Sequence, residues 1–81
     1  MHDKILQRIK TVIATVLDIE PEMISDDASP GGFERWDSLR HMNIIMALEE
    51  EFEIKFTEQQ MSELLNIKLI LLVVRDALKV Q

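Results

Sequence analysis

Ile5, Ile9, Val12, Ile13 and Val16 recur at spacings of three and four, with Lys4, Arg8 and Lys10 between them. That period predicts an amphipathic helix over residues 3–17. Pro21 and the acids around it end the helix, and residues 18–36 form a long connection holding both prolines and both glycines of the chain. Met23 and Ile24 are expected to pin this connection to the core. A connection so long in so small a domain is usually functional. A second helix is predicted from Asp37 or Ser38 to about Phe52, with Leu39, Met42, Ile45, Met46 and Phe52 as its apolar face. Glu49, Glu50, Glu51 and Glu53 crowd its C-terminal end, where acids oppose the helix dipole. Either stability is given up there or the charge serves another purpose.

After a short connection, Ile54-Lys55-Phe56, the pair Thr57 and Gln60 reads as a capping box. It opens a short third helix through Met61, Leu64 and Leu65. The last segment, Ile67 to Val80, contains a run from Leu69 to Val74 that is apolar on every side. Periodicity alone leaves such a run open between a buried strand and a buried helix. The chain offers no strand partner, and Arg75-Asp76-Ala77-Leu78-Lys79 continues as helix, so helix is the reading. The expected architecture is all-α, a small bundle of three longer helices and one short one. Residues 69–74 hold more apolar surface than one helix face needs. The plain account is a deeply buried helix; the sharper one is a side exposed for self-association or partner docking.

At 81 residues the chain reads as a single domain over 1–81, near the lower end of what folds alone. Its hydrophobic fraction of 47% suffices for one core but hardly for a deep substrate cleft as well. Without cysteine there is no disulfide, thiolate metal site or cysteine nucleophile. Charges interrupt every apolar stretch before the roughly 18 to 20 residues needed to span a bilayer. Met1-His2-Asp3-Lys4 leads straight into the amphipathic pattern without a signal-type hydrophobic region, so membrane insertion is not expected and a cytoplasmic location is. The net charge of −6 argues against a nucleic-acid partner, because phosphate would be repelled. Asp18, Glu20, Glu22, Asp26 and Asp27 stand with no base among them, and six acids face three bases over residues 31–56. An acidic face of that kind suits a basic protein partner, although a solvated surface is the more ordinary use of such a run.

Several chemistries fall away. His2 and His41 are far apart and neither is spaced with a strong second ligand, so no metal site is read. A calcium loop starting at Asp26 would need oxygen ligands where Ala28 and Pro30 stand. Gly31-Gly32 precedes no Lys-Ser/Thr pair, so it is no phosphate loop. His41 lies three residues after Ser38, which places it beside the hydroxyl rather than poised on it; an enzyme is therefore not expected. His41 reads as an exposed surface residue. Trp36 is expected to be a hook that covers the connection against the bundle, since a large aromatic in a small domain mostly serves burial. Ser38, at the head of a helix after a Gly-containing loop, can cap that helix or serve as an exposed attachment point.

The stretch Trp36-Asp37-Ser38-Leu39, followed by Met46-Ala47-Leu48-Glu49-Glu50-Glu51-Phe52, resembles the acyl carrier protein family. Length, helix order, long first loop, acidic balance and the helix opened by Thr57 agree as well. The resemblance implies a four-helix bundle of acyl-carrier type, with 4′-phosphopantetheine carried on Ser38 through a phosphodiester. A phosphopantetheinyl transferase would install it, and its thiol would hold acyl groups as thioesters for acyl-loading and acyl-processing enzymes. A phosphate at a helix N-terminus meets unsatisfied N–H groups, so the physics is consistent. By the same resemblance Asp37 would contact the transferase or its metal. Leu39, Met46 and Phe56 would border the acyl pocket, a role compatible with ordinary core packing. Members that serve fatty-acid synthesis place acids along the start of the second helix, where this chain has Arg40, His41 and Asn43; Glu49 and Glu50 remain. The altered acids imply a carrier dedicated to a specialised pathway, with Leu39, Arg40, His41, Asn43, Glu49 and Glu50 as the surface its matched partner enzymes meet; a monomer is expected. The runner-up is an aminoacyl or peptidyl carrier of a nonribosomal-peptide-type or D-alanyl transfer system. A third reading is a helical interaction module in which Ser38 is only a cap.

Overall fold

The computed structural model describes residues 4–25 and 36–79. They form four α-helices: α1 (Lys4–Leu17), α2 (Ser38–Phe52), α3 (Glu58–Ser62) and α4 (Ile67–Lys79), with a 3₁₀ turn at Pro21–Met23 between the first two. This is the all-α arrangement of three longer helices and one short one that the pattern predicts. Residues 26–35 of the long connection, including Pro30, Gly31 and Gly32, lie outside the described residues, as do Asp3 and Val80 at the expected helix ends.

One core runs through the bundle. From α1 come Ile9, Ile13, Ala14 and Leu17, from α2 Ile44, Ile45, Leu48 and Phe52, and from α4 Ile67, Ile70, Val73, Val74 and Ala77. The connections add Ile24, Trp36, Ile54, Phe56 and Leu64. Helix α1 packs against α2, against the 3₁₀ turn and against α4.

Four expectations need correction. The buried face of α2 is Ile44, Ile45, Leu48 and Phe52, whereas Leu39, Met42 and Met46 are exposed. At about 100° per residue the two stripes lie roughly 140° apart, so α2 is apolar on two sides and only one fits the core. In the long connection Ile24 is buried as expected, but Met23 points to solvent. Helix α3 ends at Ser62; Leu64 is buried beyond its end and Leu65 is exposed. Helix α4 is two-sided rather than deeply buried: Ile70, Val73 and Val74 face the core, while Leu72 is exposed.

The helix ends explain the acids. At the end of α1, Ile19 N–H donates to Ala14 O at 3.0 Å and Asp18 N–H to Thr15 O at 3.3 Å, the paired bonds of a Schellman turn, with Asp18 at φ 59°. At the end of α2, Ile54 N–H reaches Glu49 O at 3.0 Å, with Glu53 at φ 54°. Arg8 of α1 crosses to this same end: its Nε donates to Glu51 Oε2 at 2.8 Å and its Nη2 to the Glu51 carbonyl at 2.9 Å. The guanidinium also lies 4.4 Å from the centre of the Phe52 ring. A cation therefore satisfies a terminal carbonyl at the negative end of α2 and offsets part of its acid load. Helix α3 opens with the expected capping box, Gln60 N–H to Thr57 Oγ1 at 3.1 Å and Thr57 N–H to Gln60 Oε1 at 2.9 Å. Asn66 caps α4 by accepting the Leu69 N–H on Oδ1 at 2.9 Å.

Glu53 holds a left-handed conformation that costs a residue with a Cβ roughly 1 kcal/mol, and it adds negative charge at the negative helix end. Glu53→Gly is expected to raise the thermal midpoint by about 4 °C, measured by circular dichroism; an unchanged or lower midpoint would contradict this account.

Candidate functional site

The site begins at Trp36, which is 1% exposed in the core immediately ahead of α2. Its indole N–H donates to His41 Nδ1 at 3.0 Å, with ring centroids 6.0 Å apart and planes tilted by 35°. Trp36 is thus the hook expected of it. His41 is not the exposed surface residue read from sequence: it is half-buried and bonded to the indole. Burial pulls its pKa below the ordinary value of about 6.5, and a hydrogen bond to the Leu64 backbone opposes that shift more weakly.

Asp37 follows in extended conformation and is the N-cap of α2. Its Oδ1 accepts the Arg40 N–H at 2.9 Å, and its Oδ2 accepts Arg40 Nη1 at 2.9 Å. Arg40 therefore closes on the cap residue itself. Ser38 stands one position further, as the first helical residue, and is exposed. Among the described residues its hydroxyl has no hydrogen-bond partner. The reading of Ser38 as the cap is corrected: a carboxylate accepts more strongly than a hydroxyl, and Asp37 takes the position that leaves Ser38 unclaimed.

From Ser38 the surface of α2 continues through Leu39, which is 73% exposed, Met42 and Met46, which is 62% exposed. Arg40, Asn43 and Glu50 are exposed beside that stripe. Met46, Glu49, Glu50, Glu53, Ile54 and Lys55 line an open groove of about 600 Å³. Glu49 is tied to the fold, accepting the Phe56 N–H on Oε2 at 2.8 Å. Phe56 is buried in the core. Of Leu39, Met46 and Phe56, only Met46 lines this groove.

The Trp36–His41 pair and the role of Arg8 escaped the sequence reading. A signal existed for the first: a buried indole N–H needs an acceptor, and a histidine five residues on can supply one.

A family model for the phosphopantetheine attachment site matches residues 7–74. The chain is 32% identical over 70 residues to an acyl carrier protein of Thermosynechococcus vestitus, covering 86% of each. It is 39% identical over 62 residues to an acyl carrier protein of Buchnera aphidicola, covering 76% of this chain and 78% of that one. A solution structure of a holo acyl carrier protein from Geobacter metallireducens superposes with a TM-score of 0.81 at 28% identity, over 91% of this chain and 85% of that one. A capped helix carrying an unclaimed serine, on this fold and with these relatives, places the chain in the acyl carrier protein family. It is a carrier and not an enzyme. No helix among the described residues is long and apolar enough to cross a membrane.

The Asp37 cap separates by substitution. Asp37→Ala is expected to cost about 1 kcal/mol in urea unfolding, and Asp37→Asn only a few tenths, because the amide oxygen still accepts the Arg40 N–H. Equal losses in the two variants would contradict the cap.

Proposed function

We propose that Ser38 carries 4′-phosphopantetheine and that the chain presents acyl groups to partner enzymes of a specialised pathway. The observation that carries this reading is the unclaimed, exposed Ser38 hydroxyl at the first position of a 15-residue helix whose cap is supplied by its neighbour. The residues fit a phosphodiester there. The first-turn N–H groups of a helix lack intrahelical partners, and the dipole favours negative charge at that end. The bound arm supplies the thiol that this chain lacks and on which acyl groups ride as thioesters. Asp37, exposed beside Ser38, is the residue for a transferase to read, although Arg40 holds one of its oxygens.

Leu39, Met42 and Met46 form the apolar centre of the partner surface, with Arg40, Asn43 and Glu50 at its edge. Glu49 and His41 shape it from within, since each is bonded to the fold. Acyl cargo would settle beside Met46, toward Phe56. Acyl rather than aminoacyl or peptidyl cargo is favoured by Asp37 before the serine, where many peptidyl carriers have histidine. In α4, of residues 69–74 only Leu72 is exposed, which supports a monomer.

Incubation with a broad-specificity phosphopantetheinyl transferase and coenzyme A, followed by intact mass, is expected to show one added phosphopantetheine on the chain and none on Ser38→Ala. No addition, or addition to both, would sink the attachment. For the pathway, Arg40→Asp combined with Asn43→Glu is expected to improve loading by a fatty-acid synthase enzyme; failure to improve it would count against the electrostatic account of partner choice.

A further inference from the structure

Trp36 can only donate through its indole, so His41 Nδ1 must accept, and the single proton of the neutral imidazole sits on Nε2. Nε2 then carries the only N–H of the ring, and the Leu64 backbone, between α3 and α4, acts on the imidazole to raise its pKa. One neutral side chain thereby ties the residue two positions before Ser38 to helix α2 itself. The indole it holds is 1% exposed, so its N–H has no water to fall back on.

We propose that neutral His41 is a positioning residue for Ser38: through Trp36 it fixes the chain that enters α2, and protonation at Nδ1 releases that hold. The role deepens the Ser38 attachment reading and rests on it. A proton on Nδ1 sets two donors against each other, the imidazolium N–H and the indole N–H, and the bond cannot survive. Burial already disfavours the charged form. The charged residues on the segments that hold His41 are Asp37 and Arg40 on its own helix, paired to each other, and Glu63 beside Leu64. Burial lowers the His41 pKa, and the Leu64 backbone opposes that more weakly. Because the folded pKa is lowered, the unfolded chain takes its proton first as pH falls. The contact's contribution to stability is therefore complete above about pH 6.5 and is lost as pH drops from there toward the folded value, with the slope favouring higher pH.

The chain has one tryptophan and no tyrosine, so its intrinsic fluorescence reports Trp36 directly. The full chain is titrated from pH 8 to pH 5 beside His41→Gln, whose amide can accept from the indole without titrating, and His2→Ala. The wild type and His2→Ala are expected to shift to the red with one midpoint below about pH 6.5, and His41→Gln to stay flat. A flat wild type, a titration that persists in His41→Gln, or one that vanishes in His2→Ala would overturn the proposal. Phosphopantetheine transfer at pH 7.5 supplies the second readout. His41→Ala is expected to raise the KM of the carrier about tenfold, as for one lost hydrogen bond, and His41→Gln to restore it. Loading of His41→Ala at the wild-type KM, or a KM raised equally in both variants, would overturn the positioning role. If the wild type takes up no phosphopantetheine while the fluorescence titrates as stated, the attachment reading has failed and the His41 contact stands.

Discussion

The bond from the Trp36 indole to His41 is the contact on which the working end of this domain depends. Burying a tryptophan stabilises a small helical bundle, but its N–H must be satisfied at depth or part of the gain is lost. His41 satisfies it from one turn inside α2, which anchors the entering chain to the same helix it opens. Asp37 and Ser38 then emerge together from an anchored position. The carboxylate turns back to cap the helix, and the serine is left outward, its hydroxyl without a hydrogen-bond partner among the described residues. A deeply buried residue two positions ahead of an exposed one makes the serine both accessible and well placed.

Helix α2 meets two demands at once. One stripe, Ile44, Ile45, Leu48 and Phe52, is committed to the core against α1 and α4. The other, Leu39, Met42 and Met46, starts beside Ser38 and stays in solvent. Leucine and methionine this exposed contribute little to folding, and an apolar stripe along one side suits the partner surface proposed for it. The acids at the far end divide between the fold and the exposed surface. Glu49 holds the Phe56 backbone and Glu51 receives Arg8, while Glu50 remains exposed at the groove.

Much of this was legible in the chain. The periods of α1 and α4, the Thr57 capping box and the Asp-Ser-Leu opening of α2 are local signals, and local physics decides them. The buried face of α2 is not legible because apolar residues occupy two sides, and sequence alone does not say which side meets α1. The acids at its end looked like a sacrifice of stability because their compensation, Arg8, lies 43 residues away in the chain. The half-buried position of His41 is hidden in the sequence for the same reason. Its burial comes from Trp36 and from the segment near Leu64, and the second of these is brought up only by the fold. Long-range partners, rather than local propensity, are what the pattern could not reveal.

The central claim is that the arm sits on Ser38 and nowhere else. Trypsin cuts after Arg35 and Arg40 and frees the peptide Trp36-Asp37-Ser38-Leu39-Arg40, in which Ser38 is the sole hydroxyl side chain. Fragmentation of that peptide from transferase-treated protein should locate phosphopantetheine on Ser38. An unmodified pentapeptide, with the added mass on another fragment, would contradict the account.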